Sequence, residues 1–404
     1  MPWKEVNIMN QRTEFALRAV QSGESFRRLC REYGISTKTG YKWRERFLQR
    51  GLEGLNDLSR RPESSPRGLA EGVVCEIVRL KEAHRAWGPK KIRAIYARVH
   101  GRPMPSESSF KRVLERAGLV EPRRVRPRSE AGRLFSGRRA QEPNEIWTVD
   151  FKGHWYDRNR RRCEPLTVRD EFSRYVLELR ALAQAGTEGV RKCFERLFQI
   201  HGLPSAIRSD NGVPFASARG VLGLSRLSAW WVVLGIDLER SRPGCPQDNP
   251  AHERLHLDVR REIQDCQVEV EQAGLDQWRS TYNQERPHEA LQMRLPAQLY
   301  QSSNRKYEGT PEDLSYPTME SRKVANSGTI SWGRQQWIFI SGALAGWSVG
   351  LEPAAGKAGC WQVWFGRLLL GQFDEKTLRF KRTEPAADPA SPKDQMATSS
   401  KGVA

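Results

Sequence analysis

Between residues 146 and 263 the apolar period switches between two and about 3.6 in an order that leaves few folds open. Ile146-Trp147-Thr148-Val149-Asp150-Phe151-Lys152 alternates as a strand, with faces Ile146/Thr148/Asp150 and Trp147/Val149/Phe151. Pro165-Leu166-Thr167-Val168-Arg169-Asp170 and Arg174-Tyr175-Val176-Leu177-Glu178-Leu179 read as two more strands around an Asp170-Glu171-Phe172-Ser173 turn. A helix follows, with Val190, Cys193, Phe194, Leu197 and Phe198 on one stripe. Gly202 and Pro204 end it. Ala206-Ile207-Arg208-Ser209 is a short strand of the buried type, and it runs into Asp210-Asn211-Gly212. Leu227, Trp230, Trp231 and Leu234 mark another helix, and Ile236-Asp237-Leu238 a brief strand. Three strands, helix, strand, helix, strand, helix is the pattern of an open α/β sheet, whose strand ends converge on one edge.

The last element of that series is residues 244–263. It opens as a turn, with Gly244, Pro246, Asp248 and Asn249, and Pro250 suits the first helical position behind an Asn249 cap. Leu255, Val259 and Ile263 then recur every fourth residue on one face. Glu253, Leu257 and Arg260 fall together on another. Taken alone, that second face reads as a solvated helix surface.

The carboxylates give it a different weight. Asp150 stands in mid-strand among apolar residues, which is costly unless it is paired or holds a metal. Asp210 ends the fourth strand and Glu253 opens the last helix. Three carboxylates gathered at one sheet edge suit hard, oxygen-loving cations, Mg²⁺ or Mn²⁺, as a pair about 3.5–4 Å apart. Such a pair activates a water or a 3′-hydroxyl and stabilises the leaving oxygen of a phosphodiester. No His/Cys ligand set competes for that role. Asp170 and Asp248 are rival carboxylates, but both sit in turns, where Asp is common for backbone reasons.

Charge points the same way. The chain of 404 residues carries 67 Lys+Arg against 48 Asp+Glu, a net charge of +19, so a polyanion is the expected partner, nucleic acid first. In residues 1–60, Phe15, Ala16, Ala19 and Val20 have helical spacing, and Phe26, Leu29, Cys30 and Tyr33 form a second helix behind Ser25. Gly34 ends it, Ile35 plugs the corner and Ser36 can cap a third, basic helix. That is a helix-turn-helix, with Thr37, Lys38, Lys42 and Arg46 on its recognition face. A small helical bundle with no DNA role has the same pattern. Residues 68–122 repeat the theme with three further helices, and Ser108, Ser109, Lys111 and Arg112 face outward on the third. Arg123, Arg124, Arg126 and Arg128 then lie in a basic, Pro-containing linker, 123–142, expected to run extended along phosphates.

Four pieces in order resemble one family. They are Trp147-Thr148-Val149-Asp150, then Gly202-Leu203-Pro204 leading to Ser209-Asp210-Asn211-Gly212, then Pro246-Gln247-Asp248-Asn249-Pro250-Ala251-His252-Glu253-Arg254, and last Tyr282-Asn283-Gln284-Glu285-Arg286-Pro287-His288-Glu289-Ala290-Leu291. Together they resemble the bacterial insertion-sequence transposases of the retroviral-integrase superfamily, a group in which two N-terminal helical units are also usual. The resemblance implies a ribonuclease H-like fold over residues 143–300 and a metal-binding DDE triad on Asp150, Asp210 and Glu253. It implies cleavage at transposon ends and joining of the 3′-hydroxyl to target DNA, in a homo-oligomer that bridges two ends. Arg260 occupies a position where the family has Lys or Arg near the DNA backbone. Two features depart from it. Asp210 and Glu253 are 43 residues apart, longer than usual, with the surplus assigned to residues 216–225. His252 replaces the Asn, Gly or Ile often found before the Glu.

Beyond the core, strand signals recur at Trp337-Ile338-Phe339-Ile340, Trp347-Ser348-Val349-Gly350-Leu351, Trp361-Gln362-Val363-Trp364 and Leu368-Leu369-Leu370. They predict a small all-β barrel over 320–382, followed by a disordered tail over 383–404. The fold expected is therefore multidomain: two all-α helix-turn-helix units, an α/β core and a β barrel. No run of 18 apolar residues occurs, and the seven cysteines are scattered without a C-x-x-C pair. Both features favour a cytoplasmic, nucleoid-associated protein with reduced thiols. Two other functions fit the same residues: a metal-dependent nuclease that cuts without joining, and a DNA-binding regulator with an inactive core.

Overall fold

Apolar residues at helical spacing build three N-terminal helices, Ile8–Val20 (α1), Phe26–Glu32 (α2) and Thr37–Arg50 (α3). The computed structural model describes residues 7–21, 23–58, 68–101, 104–120, 137–151, 153, 155–156, 162–242, 250–264 and 272–383. Phe15, Ala16, Leu29, Cys30, Trp43 and Leu55 form the core of this first unit, with Ile35 packed against it. Ser36 caps α3 by accepting the Thr39 N–H at 3.1 Å, and Gly34 turns the corner at φ +64°. A Cβ at Gly40 would stand 2.6 Å from the Cys30 sulfur and 3.0 Å from the Phe15 ring. Glycine here lets α3 close on its neighbours. Gly40→Ala is therefore expected to destabilise this unit by about 1–3 kcal/mol through overpacking, despite alanine's better helix propensity. A thermal melt of residues 1–70 showing no change would contradict that.

The chain divides into two compact units, Met1–Ala70 and Glu71–Ala404. The second begins with helices Glu71–Ala83 (α4), Pro89–His100 (α5) and Glu107–Arg116 (α6). Ser106 caps α6, accepting the Ser109 N–H at 3.2 Å. Lys81 is buried and donates to the Trp87 carbonyl at 2.9 Å, tying down the turn between α4 and α5.

A mixed sheet follows. Its strands are Ile146–Phe151 (β1), Trp155–Tyr156 (β2), Arg162–Asp170 (β3), Val176–Leu182 (β4), Ala206–Ser209 (β5) and Asp237–Arg240 (β6). The order is β2-β3-β1-β5-β6, with β4 also on β3. β1 to β4 pair antiparallel, whereas β5 and β6 run parallel to β1. Helices Thr187–His201 (α7) and Arg226–Val233 (α8) cover the Trp147/Val149 face, and Phe194, Phe198, Trp230 and Trp231 fill the space between. Helices Pro250–Val259 (α9) and Gln272–Gln284 (α10) cover the other face through Leu255, Val259, Leu275, Trp278 and Tyr282. One extra residue in β4, opposite Val168/Arg169, interrupts the ladder. That bulge is why Val176 and Leu179, three apart, share the α9 side. The result is a three-layer α/β/α core.

The C-terminal part departs from the closed barrel expected. Strands Glu320–Lys323 (β7), Ser348–Pro353 (β10), Cys360–Phe365 (β11), Leu368–Asp374 (β12) and Phe380–Arg382 (β13) make an antiparallel sheet in the order β13-β12-β11-β10-β7. Thr329–Trp332 (β8) and Gln336–Phe339 (β9) pair only with each other, as a hairpin. Among the described residues no pairing joins the two ends of the sheet. Alternation along a strand reports which residues face inward, not whether edge strands meet, so closure was beyond it. Val221 and Leu224, from the 216–225 segment, are fully buried in this domain's core beside Ile330, Val349 and Phe365. The extra residues thus serve as a plug between core and β domain.

Candidate active site

The parallel pairing of β1 with β5 sets Thr148 opposite Arg208. Carried two residues further along both strands, that register puts Asp150 level with Asp210 at adjacent strand ends. Asp150 is half-buried and Asp210 exposed. The Asp210 carboxylate turns back to accept the Gly212 N–H at 3.1 Å. Arg240, the last residue of β6, braces the same turn by donating to the Phe215 carbonyl at 2.9 Å and the Ser209 hydroxyl at 3.3 Å. Burial lowers the Arg240 pKa, and the Asp210 charge counters that.

α9 is laid against β1 and β3 by polar contacts as well as its apolar stripe. The Thr167 hydroxyl donates to the Asp150 carbonyl at 2.9 Å, so toward other groups it accepts. His252 Nε2 lies 2.5 Å and His256 Nε2 2.9 Å from that oxygen, and each therefore carries its proton there. Burial, with His256 and Arg169 close by, holds His252 well below the usual histidine range, hence neutral. Its Nδ1 stands 3.0 Å from the Thr148 hydroxyl, which also lies 3.3 Å from the Arg169 carbonyl. His256 Nδ1 stands 3.8 Å from an Asp150 carboxylate oxygen. Glu253 and Arg260 are both exposed, and Leu257 between them is 47% exposed, so the face read from the periodicity is the free one. Thr148 lay inside a quoted motif without a role of its own, and no motif covered Thr167 or His256. The signal for them was two histidines four apart on a helix, opposite two threonines at inward strand positions.

The three acidic positions are not gathered into one cluster. Among the described residues no three His, Cys, Asp or Glu side chains stand close enough to hold a metal ion. Asp170 proves structural: it is fully buried and accepts from Asn144 N–H at 2.7 Å, Ser173 N–H at 2.8 Å and the Ser173 hydroxyl at 2.5 Å. Asp248 lies outside the described residues, as do Arg123, Arg124, Arg126 and Arg128.

On α3, Thr37, Lys38 and Lys42 are exposed. Arg46 is half-buried, its guanidinium 5.2 Å from the Trp43 ring centroid. On α6, Ser108, Lys111 and Arg112 are exposed, and Ser109 is half-buried beside the Ser106 cap. Lys111 also faces Glu115 at 3.6 Å.

Comparison with known sequences adds the following. An integrase core domain matches residues 140–246 and again 234–296. A helix-turn-helix domain matches 14–63, and a homeodomain-like domain 39–114. The uncharacterized 31.7 kDa protein of insertion element IS407 from Burkholderia multivorans is 26% identical over 259 residues, covering 61% of this chain and 87% of that one. The uncharacterized 39.2 kDa protein of insertion element IS476 from Xanthomonas euvesicatoria is 29% identical over 262 residues, covering 61% and 70%. The chain thus carries helix-turn-helix and integrase core domains and is similar to proteins of two insertion elements. Among solved structures, the HTLV-2 integrase catalytic core with magnesium is 18% identical at a TM-score of 0.32, over 40% of this chain and all of that one. The simian T-cell lymphotropic virus intasome with a PP2A regulatory subunit is 18% identical at 0.36, over 77% of this chain and 99% of that one. In this chain Asp150 lies in β1, Asp210 directly follows β5 and Glu253 lies in the first turn of α9.

Proposed function

We propose that this protein is a transposase that binds the ends of an insertion element and, with a divalent cation, cleaves them and joins the 3′-hydroxyl to target DNA. What supports this reading is the parallel β1–β5 register, which carried two residues further sets Asp150 beside Asp210, with the Glu253 helix fastened across β1 and β3. The donors are carboxylates without thiolates, a set that suits Mg²⁺ or Mn²⁺. Bound there, a pair of ions supplies Lewis-acid stabilisation to the attacking and leaving oxygens. Asp150 and Asp210 hold the site from the sheet. Glu253 completes it from the helix, closing on the strand ends when DNA is engaged. His256, beside Asp150, fixes the side from which that carboxylate is approached.

DNA is held elsewhere on the chain. Thr37, Lys38, Lys42 and Arg46 present one helix to the major groove, and Ser108, Ser109, Lys111 and Arg112 a second. Arg123, Arg124, Arg126 and Arg128 contact phosphates, and Arg260 lies along the backbone near the cut. Two ends are joined in a homo-oligomer. The test is a two-ended strand-transfer assay with the element's flanking DNA and Mg²⁺. Joined product is expected. Nicked product alone would replace this reading with a nuclease, and shifted but intact DNA with a regulator. End binding should also weaken roughly 10³-fold between ~50 and ~200 mM salt, because Lys/Arg–phosphate contacts release counterions. Salt-insensitive binding would remove the phosphate-contact set.

A further inference from the structure

Glu262 sits in the π turn Arg260–Gln264 that continues α9. Three elements converge on its carboxylate. The Trp87 indole, from the turn that begins α5, donates at 3.2 Å. The Trp278 indole, from α10, donates at 2.8 Å to the other oxygen. Arg286, just past α10, pairs with Glu262 and reaches Asp258, one turn earlier, at 2.8 Å. All are withdrawn from water: Trp87 is 3% exposed, Trp278 8%, Asp258 6% and Arg286 2%. Lys91 of α5 lies in the same field. Burial first, then Arg286, brings its ammonium down to about 8, against the pull of Asp258 and Glu262.

An apolar stripe alone lets a helix slide or roll, since dispersion contacts are non-directional. A largely enclosed carboxylate satisfied from three sides fixes both position and rotation, because sliding or rolling leaves a desolvated donor or acceptor unmet. Glu253 lies nine residues up the same helix, about 13 Å away at 1.5 Å per residue. A small roll at Glu262 therefore becomes a displacement at Glu253. One of the three arms does not come from the α/β core at all. Trp87 belongs to the second helical unit, which also meets the segment after α10 through Arg98 and the Met293 carbonyl at 2.7 Å.

We propose that Trp87 and Glu262 are positioning residues for Glu253, so that the second helical unit holds the acidic helix in register as well as facing DNA. This rests on the catalytic reading of Glu253. Trp87→Phe keeps the ring and removes only the N–H, and Glu262→Gln keeps the size and removes the charge. Both are compared with wild type in the full chain, with duplex carrying the element's end as the probe. Expected is unchanged affinity for that duplex, joining slowed ~10- to 100-fold by misplacement, and an apparent Mg²⁺ affinity lowered about tenfold. Hydrogen exchange without DNA or metal is measured alongside: amides of residues 253–263 lose protection while those of α7 keep theirs. Unchanged joining in both variants, or a loss explained wholly by weaker DNA binding, overturns the proposal. So does unchanged exchange in residues 253–263. If the wild type itself never cuts DNA, the catalytic reading fails, and the exchange arm still decides whether Trp87 holds the helix.

Discussion

Asp150→Asn, Asp210→Asn and Glu253→Gln should each lower metal-dependent cleavage and joining by at least about 10³-fold while end binding persists. The magnitude follows from what the carboxylates hold. Lewis-acid stabilisation at a phosphoryl centre is worth several kcal/mol, and each ~1.4 kcal/mol is a factor of ten in rate. An amide keeps the shape but loses the charge that a hard cation needs. Asp170→Asn is the internal control. Asp170 ends β3, opposite Trp147 of β1, yet its oxygens are already taken by Asn144 and Ser173. Burial raises its pKa and those hydrogen bonds pull it back. Asparagine there should cost about 1–3 kcal/mol of stability through a mismatched buried partner, with activity per folded molecule retained. The measurement is joining rate at saturating DNA, with binding and melting followed in parallel. Near-normal joining by any triad variant, or loss of joining in a well-folded Asp170→Asn protein, would move the site.

The core was legible because its signals are periodic and local. Trp147/Val149 against Thr148/Asp150 separated the two faces of β1, and each proved to meet a different helix layer. Leu255, Val259 and Ile263 likewise proved to be the buried stripe of α9, leaving Glu253, Leu257 and Arg260 free. What was not legible depends on pairing over long separations. Trp87 and Glu262 are 175 residues apart, and nothing local in either marks the other. The open sheet after residue 320 reads, strand by strand, like a barrel. The 216–225 segment showed only as surplus length between Asp210 and Glu253, yet Val221 and Leu224 bury themselves completely in the next domain's core. The histidine before Glu253 looked like a departure from pattern. In place it is a neutral spacer between two threonines.

Arg286→Met should destabilise residues 71–404 by ~3–5 kcal/mol, the cost of stranding buried charge. The guanidinium is 2% exposed and serves Asp258 and Glu262 at once, with the Tyr282 ring 5.4 Å from it. Methionine fills much of the volume, so the loss is one of charge partners more than of packing. Lysine at this position is expected to fall between the two, since one ammonium cannot fork to both carboxylates. The pH dependence has a definite sign. Burial already holds the Glu262 pKa above its usual value, and Arg286 is the strongest influence lowering it. Without Arg286 that pKa rises further. The folded variant then binds more protons than the unfolded chain above the ordinary carboxylate range, so its stability falls as pH rises. The deficit against wild type is therefore smaller near pH ~5 than near pH ~7. Adding Glu262→Gln to Arg286→Met removes one stranded charge and should recover part of the loss, because replacing both members of a buried pair is far milder than removing one. Urea denaturation followed by tryptophan fluorescence at the two pH values reads all of this. A loss below ~1 kcal/mol, or one independent of pH, would mean that Arg286 is solvated in solution and that the cluster joining α5, α9 and α10 does not hold charge in the way its geometry indicates.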